Sequence, residues 1–351
     1  MTNGSTTTVT PSREVVKVLT AAVRRAAKLQ FSAVGTENLL IALADTGGAG
    51  SVLGRRALRA KGAARGTAHW ADNDTASDSP PDADVTALLR DANDAACQEP
   101  APPETGALRK CLREAVAEAG DGVLTTTDLA LALLRAPSGR AAELFTVNRL
   151  DIEETMAAVC AAAKPEDTPA VWLLRKAGAL HGDKGGGYVR WLTRLIARGS
   201  DLGGPMLLAV RNEAGRHAVR AGRPDATAVD LVAAVLTLDD QLTGAGYRLR
   251  PEYESGGAAA LRAAGVEPAA LTATDITPSG GEITKAIAGA TLVAAHYGDE
   301  VVGTTHLIMA QLDDPADPIG PALCRLGVNT AALRAALADQ LAVRKPRADS
   351  L

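Results

Sequence analysis

The stretch Val34-Gly35-Thr36-Glu37-Asn38-Leu39-Leu40 decides the fold, because its layout returns three more times along the chain. The second copy reads Leu124-Thr125-Thr126-Thr127-Asp128-Leu129-Ala130 and the third Ala226-Thr227-Ala228-Val229-Asp230-Leu231-Val232. The fourth is Val302-Gly303-Thr304-Thr305-His306-Leu307-Ile308. Each copy opens a Leu/Ala-rich segment. A Thr or Gly at the loop exit suits a helix cap, and the polar or acidic residue beside it suits the positive end of the helix dipole. An amphipathic segment precedes each junction: Pro11–Leu29, Glu104–Ala119, Met206–Ala221 and Glu282–Ala295. In the first of these, Val15, Val16, Leu19, Ala22, Val23, Ala26 and Leu29 recur at helical spacing. Its other face is basic, with Arg13, Lys17, Arg24, Arg25 and Lys28, and Ser12 is placed to cap it. A unit of helix, loop, polar tetrad and helix therefore repeats four times.

Strand signals are scarce and good helix formers dominate, so the fold class is all-α. A third short helix is expected at Val52–Ala60, and Gly66–Asp84 reads as a polar linker between helical units. The Thr/Ser/Gly-rich stretch 1–10 reads as a disordered tail, 11–162 as a first domain, and 163–202 as a linker with an additional helical segment. Residues 203–343 form a second domain and 344–351 a charged tail. Trp172, Tyr188, Trp191 and Leu195 make the densest aromatic cluster, a packing element or a partner patch.

Composition narrows the function. The 351 residues hold 37 Lys+Arg against 41 Asp+Glu, a net charge of −4, so nucleic acid is not an expected partner. Aromatics are 3%, too few for base-stacking platforms. No apolar run is long enough for a membrane span, and Met1–Thr10 has neither the basic region nor the apolar core of a signal peptide. The expectation is a cytoplasmic protein without a membrane partner. Cys97, Cys111, Cys160 and Cys324 lack metal-ligand spacing and read as reduced, isolated thiols. His217, His296 and His306 belong to no HExxH pattern, and the acidic run Asp313–Pro318 reads as a solvated turn. Neither a metal nor another cofactor is expected. There is no G-x-x-x-x-G-K-[ST] phosphate loop in these residues, since Gly182–Gly187 around Lys184 lacks its spacing and its Ser/Thr.

The junctions resemble those of the Clp N-terminal domain, the paired-repeat helical module at the front of Clp-type unfoldases. In that family the junction reads roughly (V/I)-G-T-E-H-(L/I)-L, with a Leu-Gly turn further on. Val34–Leu40 and Val302–Ile308 match it closely, and Arg325-Leu326-Gly327-Val328 supplies such a turn. The resemblance implies two tandem Clp-N-like domains, each a pseudo-two-fold pair of short helical repeats, without the motor.

It further implies two ligand surfaces. One is at the junction, where a family Glu takes part in binding arginine-phosphorylated substrates. Glu37 matches it, while Thr127, Val229 and Thr305 stand at the equivalent positions. The other lies where the first helices of paired repeats meet, which points to Val16, Leu19, Thr20 and Val23 in the first domain and Thr284, Ile287 and Ala288 in the second. The usual F-T-x-x-A opening of those helices is missing here, which removes aromatic contact area.

The function so implied is non-enzymatic: a monomeric decoy that sequesters Clp-targeting cyclic peptides, or competes for Clp substrates and adaptors. The alternative is an adaptor or regulator that binds a Clp unfoldase or its substrates.

Overall fold

The computed structural model describes residues 9–46, 49–53, 82–98, 100, 102–120, 122–135, 137–182, 204–272 and 281–343. The chain divides into two units, Met1–Thr168 and Pro169–Leu351.

In the first unit, Thr10–Pro11 (β1) leads into Arg13–Lys28 (α1), followed by Thr36–Thr46 (α2) and Ala83–Ala96 (α3). The second half holds Gly106–Ala119 (α4), Val123–Leu124 (β2), Thr126–Arg135 (α5), Gly139–Val147 (α6) and Ile152–Ala162 (α7). Helix α1 packs on α2, and α4 on α5. The two halves exchange backbone contacts reciprocally. β1 pairs in parallel with β2, so the entry to α1 is tied to the loop before α5. Val34 pairs in parallel with Glu104, which ties the entry to α4 to the loop before α2. Thus the Ser12 N–H donates to Leu124 O at 2.8 Å and the Thr105 N–H to Val34 O at 2.9 Å. Both residues also cap their helices: Ser12 Oγ accepts from Val15 N at 3.0 Å and Thr105 Oγ1 from Leu108 N at 3.2 Å. This is the pseudo-two-fold pair that the repeat implied.

Helix α3 was not read from the sequence. Its N-cap Asp82 accepts from the Asp84 and Val85 N–H groups, so the end of the expected 66–84 linker is the start of a helix. Residues 66–81 of that linker, residues 54–60 of the expected third helix, and both tails beyond 9 and 343 lie outside the described residues.

The second unit runs Pro169–Ala177 (α8), Pro205–Arg220 (α9), Ala228–Gly244 (α10), Gly257–Ala263 (α11) and Pro268–Thr272 (α12). It continues with Glu282–Tyr297 (α13), Thr304–Asp313 (α14), Ile319–Arg325 (α15) and Thr330–Val343 (α16). Again the junction helices pair, α9 with α10 and α13 with α14. Helix α8 packs on α9, bringing Ala170, Val171 and Leu174 into the core with Leu207, Val210, Leu231 and Leu307. The sequence reading expected an additional helical segment within 163–202, and its apolar i, i+3 pair Val171 and Leu174 lies in the core of the second unit. Glu166 and Asp167, just before it, bond to the first unit. Trp172 lies under Lys176 at 5.8 Å, whereas Tyr188, Trp191 and Leu195 are outside the described residues.

Candidate functional site

The four junctions share one device. The first residue of each tetrad offers an orphan N–H, and the side chain three positions on reaches back to it. Gly35 N donates to Asn38 Oδ1 at 2.8 Å and Thr125 N to Asp128 Oδ2 at 2.8 Å. Thr227 N donates to Asp230 Oδ2 at 2.7 Å and Gly303 N to His306 Nδ1 at 2.9 Å. His306 is 0% exposed and its Nδ1 is an acceptor, so Nε2 carries the proton and donates to Asp299 Oδ2 at 2.8 Å. His306 is therefore a cap.

The second position of each tetrad is locked by a residue far away in sequence. Thr36 Oγ1 donates to Ser138 O at 3.1 Å and accepts from Ala141 N at 3.1 Å. Thr126 N and Oγ1 both donate to the Glu166 carboxylate, which also accepts from Ser12 Oγ. Ala228 N donates to Glu282 Oε2 at 3.0 Å, and Thr304 Oγ1 to Ser255 Oγ at 2.9 Å.

The third position carries the family's junction ligand in the sequence reading. Glu37 is 2% exposed and its Oε1 accepts from Arg140 at 3.2 Å. The guanidinium of Arg140 also lies over Phe31, 5.7 Å from the ring centroid. An internal arginine thus stands where an arginine ligand was expected, held by charge and ring together. Thr305 is 2% exposed, and Ser255 Oγ accepts from its N–H at 2.8 Å. Neither side chain faces solvent.

Among the first-helix candidates, Leu19, Thr20 and Val23 are buried and Val16 is half-buried. Helix α3 packs against both α1 and α4. It brings Val85, Leu88, Leu89 and Ala92 into that core. Polar contacts fix its two ends: Arg24 donates to Ala95 O at 2.7 Å, and Arg113 Nε lies 3.4 Å from Asp82 Oδ2. The chain's own helix α3 therefore lies against the first helices of both repeats of this unit. Cys111 lies beneath it on α4; burial, with Glu114 adding, pushes its thiol up to about 12, so it is an inert core residue.

Helix α13 is different. Ile287 is buried with Ala286, Ala290 and Ala294, while Thr284 and Ala288 are exposed and Leu292 is 73% exposed. Thr291 Oγ1 donates to Ile287 O at 3.0 Å, so this exposed threonine turns its hydroxyl to its own helix and its methyl outward. Among the described residues no further helix is laid over this face, whereas α1 and α4 have α3 and α9 has α8.

The remaining candidates have structural partners. His296 is exposed and sits edge-on to Tyr297 at 5.2 Å. In the acidic turn, Asp313 pairs with Arg334, Asp314 with Lys285, and Asp317 Oδ1 accepts from Ile319 N at 2.9 Å. Among the described residues no group of three His, Cys, Asp or Glu is placed to hold a metal. Arg140, Glu166, Ser255 and α3 all escaped the sequence reading.

The fold and junctions define a helical repeat protein in which paired helix–junction–helix units are locked by reciprocal caps. The Clp repeat N-terminal domain family matches residues 2–55, which contain α1, the first junction and α2. The front of the chain is thus similar to a Clp repeat N-terminal domain. No curated protein and no solved structure matches the chain. No helix among the described residues is long and apolar enough to cross a membrane.

Proposed function

We propose that this is a non-catalytic cytoplasmic receptor for ligands of Clp N-terminal domains, a decoy that holds a Clp-directed cyclic peptide without processing it. A Clp-N repeat is an interaction module, and that supports a protein or peptide partner in the Clp system. The observation that carries the finer reading is the contrast among first helices. Those of the first unit and α9 are covered from within the chain, while α13 presents Thr284, Ala288 and Leu292 to solvent. That supports one docking face per chain, on the second unit. The junction threonine Thr305 and the paired Glu37 are spent on internal contacts and are not part of it.

Titration calorimetry with a Clp-N-directed cyclic peptide tests the reading. Saturable binding at micromolar affinity or tighter, one peptide per chain, with loss in Ala288→Glu, is the expected result. No heat with the wild-type chain removes the decoy and turns attention to an adaptor that binds the unfoldase itself.

A further inference from the structure

The open face of α13 has an apolar strip and a charged border. Lys285, Ala288 and Leu292 follow one another at i, i+3 and i+7, so they are neighbours along one edge of the helix. All three are exposed, and Ala295 continues the strip beyond them. The Lys285 ammonium is held by Asp314 Oδ2, which brings the acidic turn after α14 to the edge of the strip. The other Asp314 oxygen, Oδ1, accepts from Ala316 N at 3.0 Å.

Negative charge is in excess at that border. Asp317 is faced by two further carboxylates, Asp314 and Glu282, and by the Lys285 ammonium that Asp314 already engages. Its Oδ1 accepts from Ile319 N at 2.9 Å, and its Oδ2 takes no hydrogen bond among the described residues. Burial, with Asp314 and Glu282 adding, pushes this carboxyl up to about 6, as crowding of like charge requires. The surrounding repeat has the same sign, since residues 282–343 hold seven Asp+Glu against three Lys+Arg. The outer face of α1 has the opposite character, with Lys17, Arg24 and Lys28 as its exposed charges.

We propose that the docking face of α13 takes a cationic peptide, its apolar side on Ala288 and Leu292 and its amine or guanidinium at Asp314 and Asp317. This rests on the reading of α13 as the chain's open docking face and adds the ligand's charge to it. An apolar strip bordered by surplus carboxylate repels an acidic ligand, and a neutral one leaves the turn's charges without a new partner. A cation relieves the crowding around Asp317. The border is open to water, so the charge acts on encounter and choice of ligand more than on total affinity, and salt screens it. The basic face of α1 turns the same ligand away from the first unit.

Calorimetric titration of the full chain with a Clp-N-directed cyclic peptide bearing one lysine, and with the same peptide acetylated on that lysine, tests the charge apart from the docking. At pH 7.5 and low salt the lysine form is expected to bind about fivefold tighter, a gap that closes at high salt. Asp317→Asn is expected to narrow the gap by weakening the lysine form alone, and unchanged binding of the acetylated form shows that this variant is folded. Lys285→Gln, of opposite sign, is expected to widen it. Equal binding of the two peptides, or a preference that D317N and K285Q leave untouched, overturns the cationic ligand while the docking face stands. Binding of neither peptide overturns both. Concentration-dependent self-association in sedimentation, with no preference between the peptides, assigns the face to the basic α1 of a second copy and likewise overturns the proposal.

Discussion

The two units build the same repeat from different parts. In the first, Ser12 and Thr105 cap α1 and α4 and also carry the reciprocal backbone bonds to Leu124 and Val34. In the second, α9 and α13 start after Gly204 and Gly281, which offer no side-chain cap. Support there comes from elsewhere. The Glu282 carboxylate takes the Ala228 N–H, α8 covers α9, and Leu180 bridges Leu249 in antiparallel fashion. The junction capping bond is what both units retain. The helix entries thus differ between the units while the bond from the first tetrad residue to the fourth persists in all four junctions.

The comparison can be broken most severely at the shared device. Asp230 is 1% exposed and serves Thr227 and Arg223 together, so Asp230→Ala strands a partly buried guanidinium and a junction N–H. A loss of about 2–3 kcal/mol is expected, mostly from the stranded junction N–H, read as early urea unfolding of the second unit with the first unit's transition unmoved.

Smaller effects sharpen the contrast at the helix entries. Ser12→Ala is expected to cost the first unit about 1 kcal/mol of unfolding free energy, the usual loss of an N-cap. Gly281→Ser, the corresponding attempt to add a cap, is expected to destabilise the second unit by about 1 kcal/mol. Its φ of 73° is a left-handed conformation that side chains other than glycine adopt at a cost. A stabilised G281S protein would show that the second unit can use the first unit's solution.

The smallest effect is expected in the acidic turn of the second unit. Burial pushes the Asp317 carboxyl up to about 6, with Asp314 and Glu282 adding. A raised carboxylate pKa gives stability that is present at low pH and is lost as pH rises through the folded value. Asp317→Asn should then raise Tm slightly at pH 7.5 and leave it unchanged near pH 4.

How much of this the sequence disclosed follows from chain distance. The junctions were legible because their caps join residues three apart, as in Gly35–Asn38 and Thr227–Asp230, and local pattern carries that information. The helix faces were legible from periodicity. What was hidden depends on partners brought in from afar: Glu166 lies 154 residues from Ser12 and Arg140 lies 103 from Glu37. No spacing rule exposes such pairs. Helix α3 was missed because its first turn, Asp82-Ala83-Asp84, reads as polar linker until its apolar residues are seen resting on α1 and α4. The same long-range packing turned Leu19, Thr20 and Val23 from groove candidates into core.

One open first-helix face per chain is the central claim, and hydrogen exchange with and without a saturating Clp-N-directed cyclic peptide tests it most directly. Protection gained across 282–297, with 13–28, 83–96 and 106–119 unchanged, is the predicted result. Protection gained on α1 and α4, with α3 exchanging faster, would mean that the ligand displaces the chain's own helix, and would contradict it.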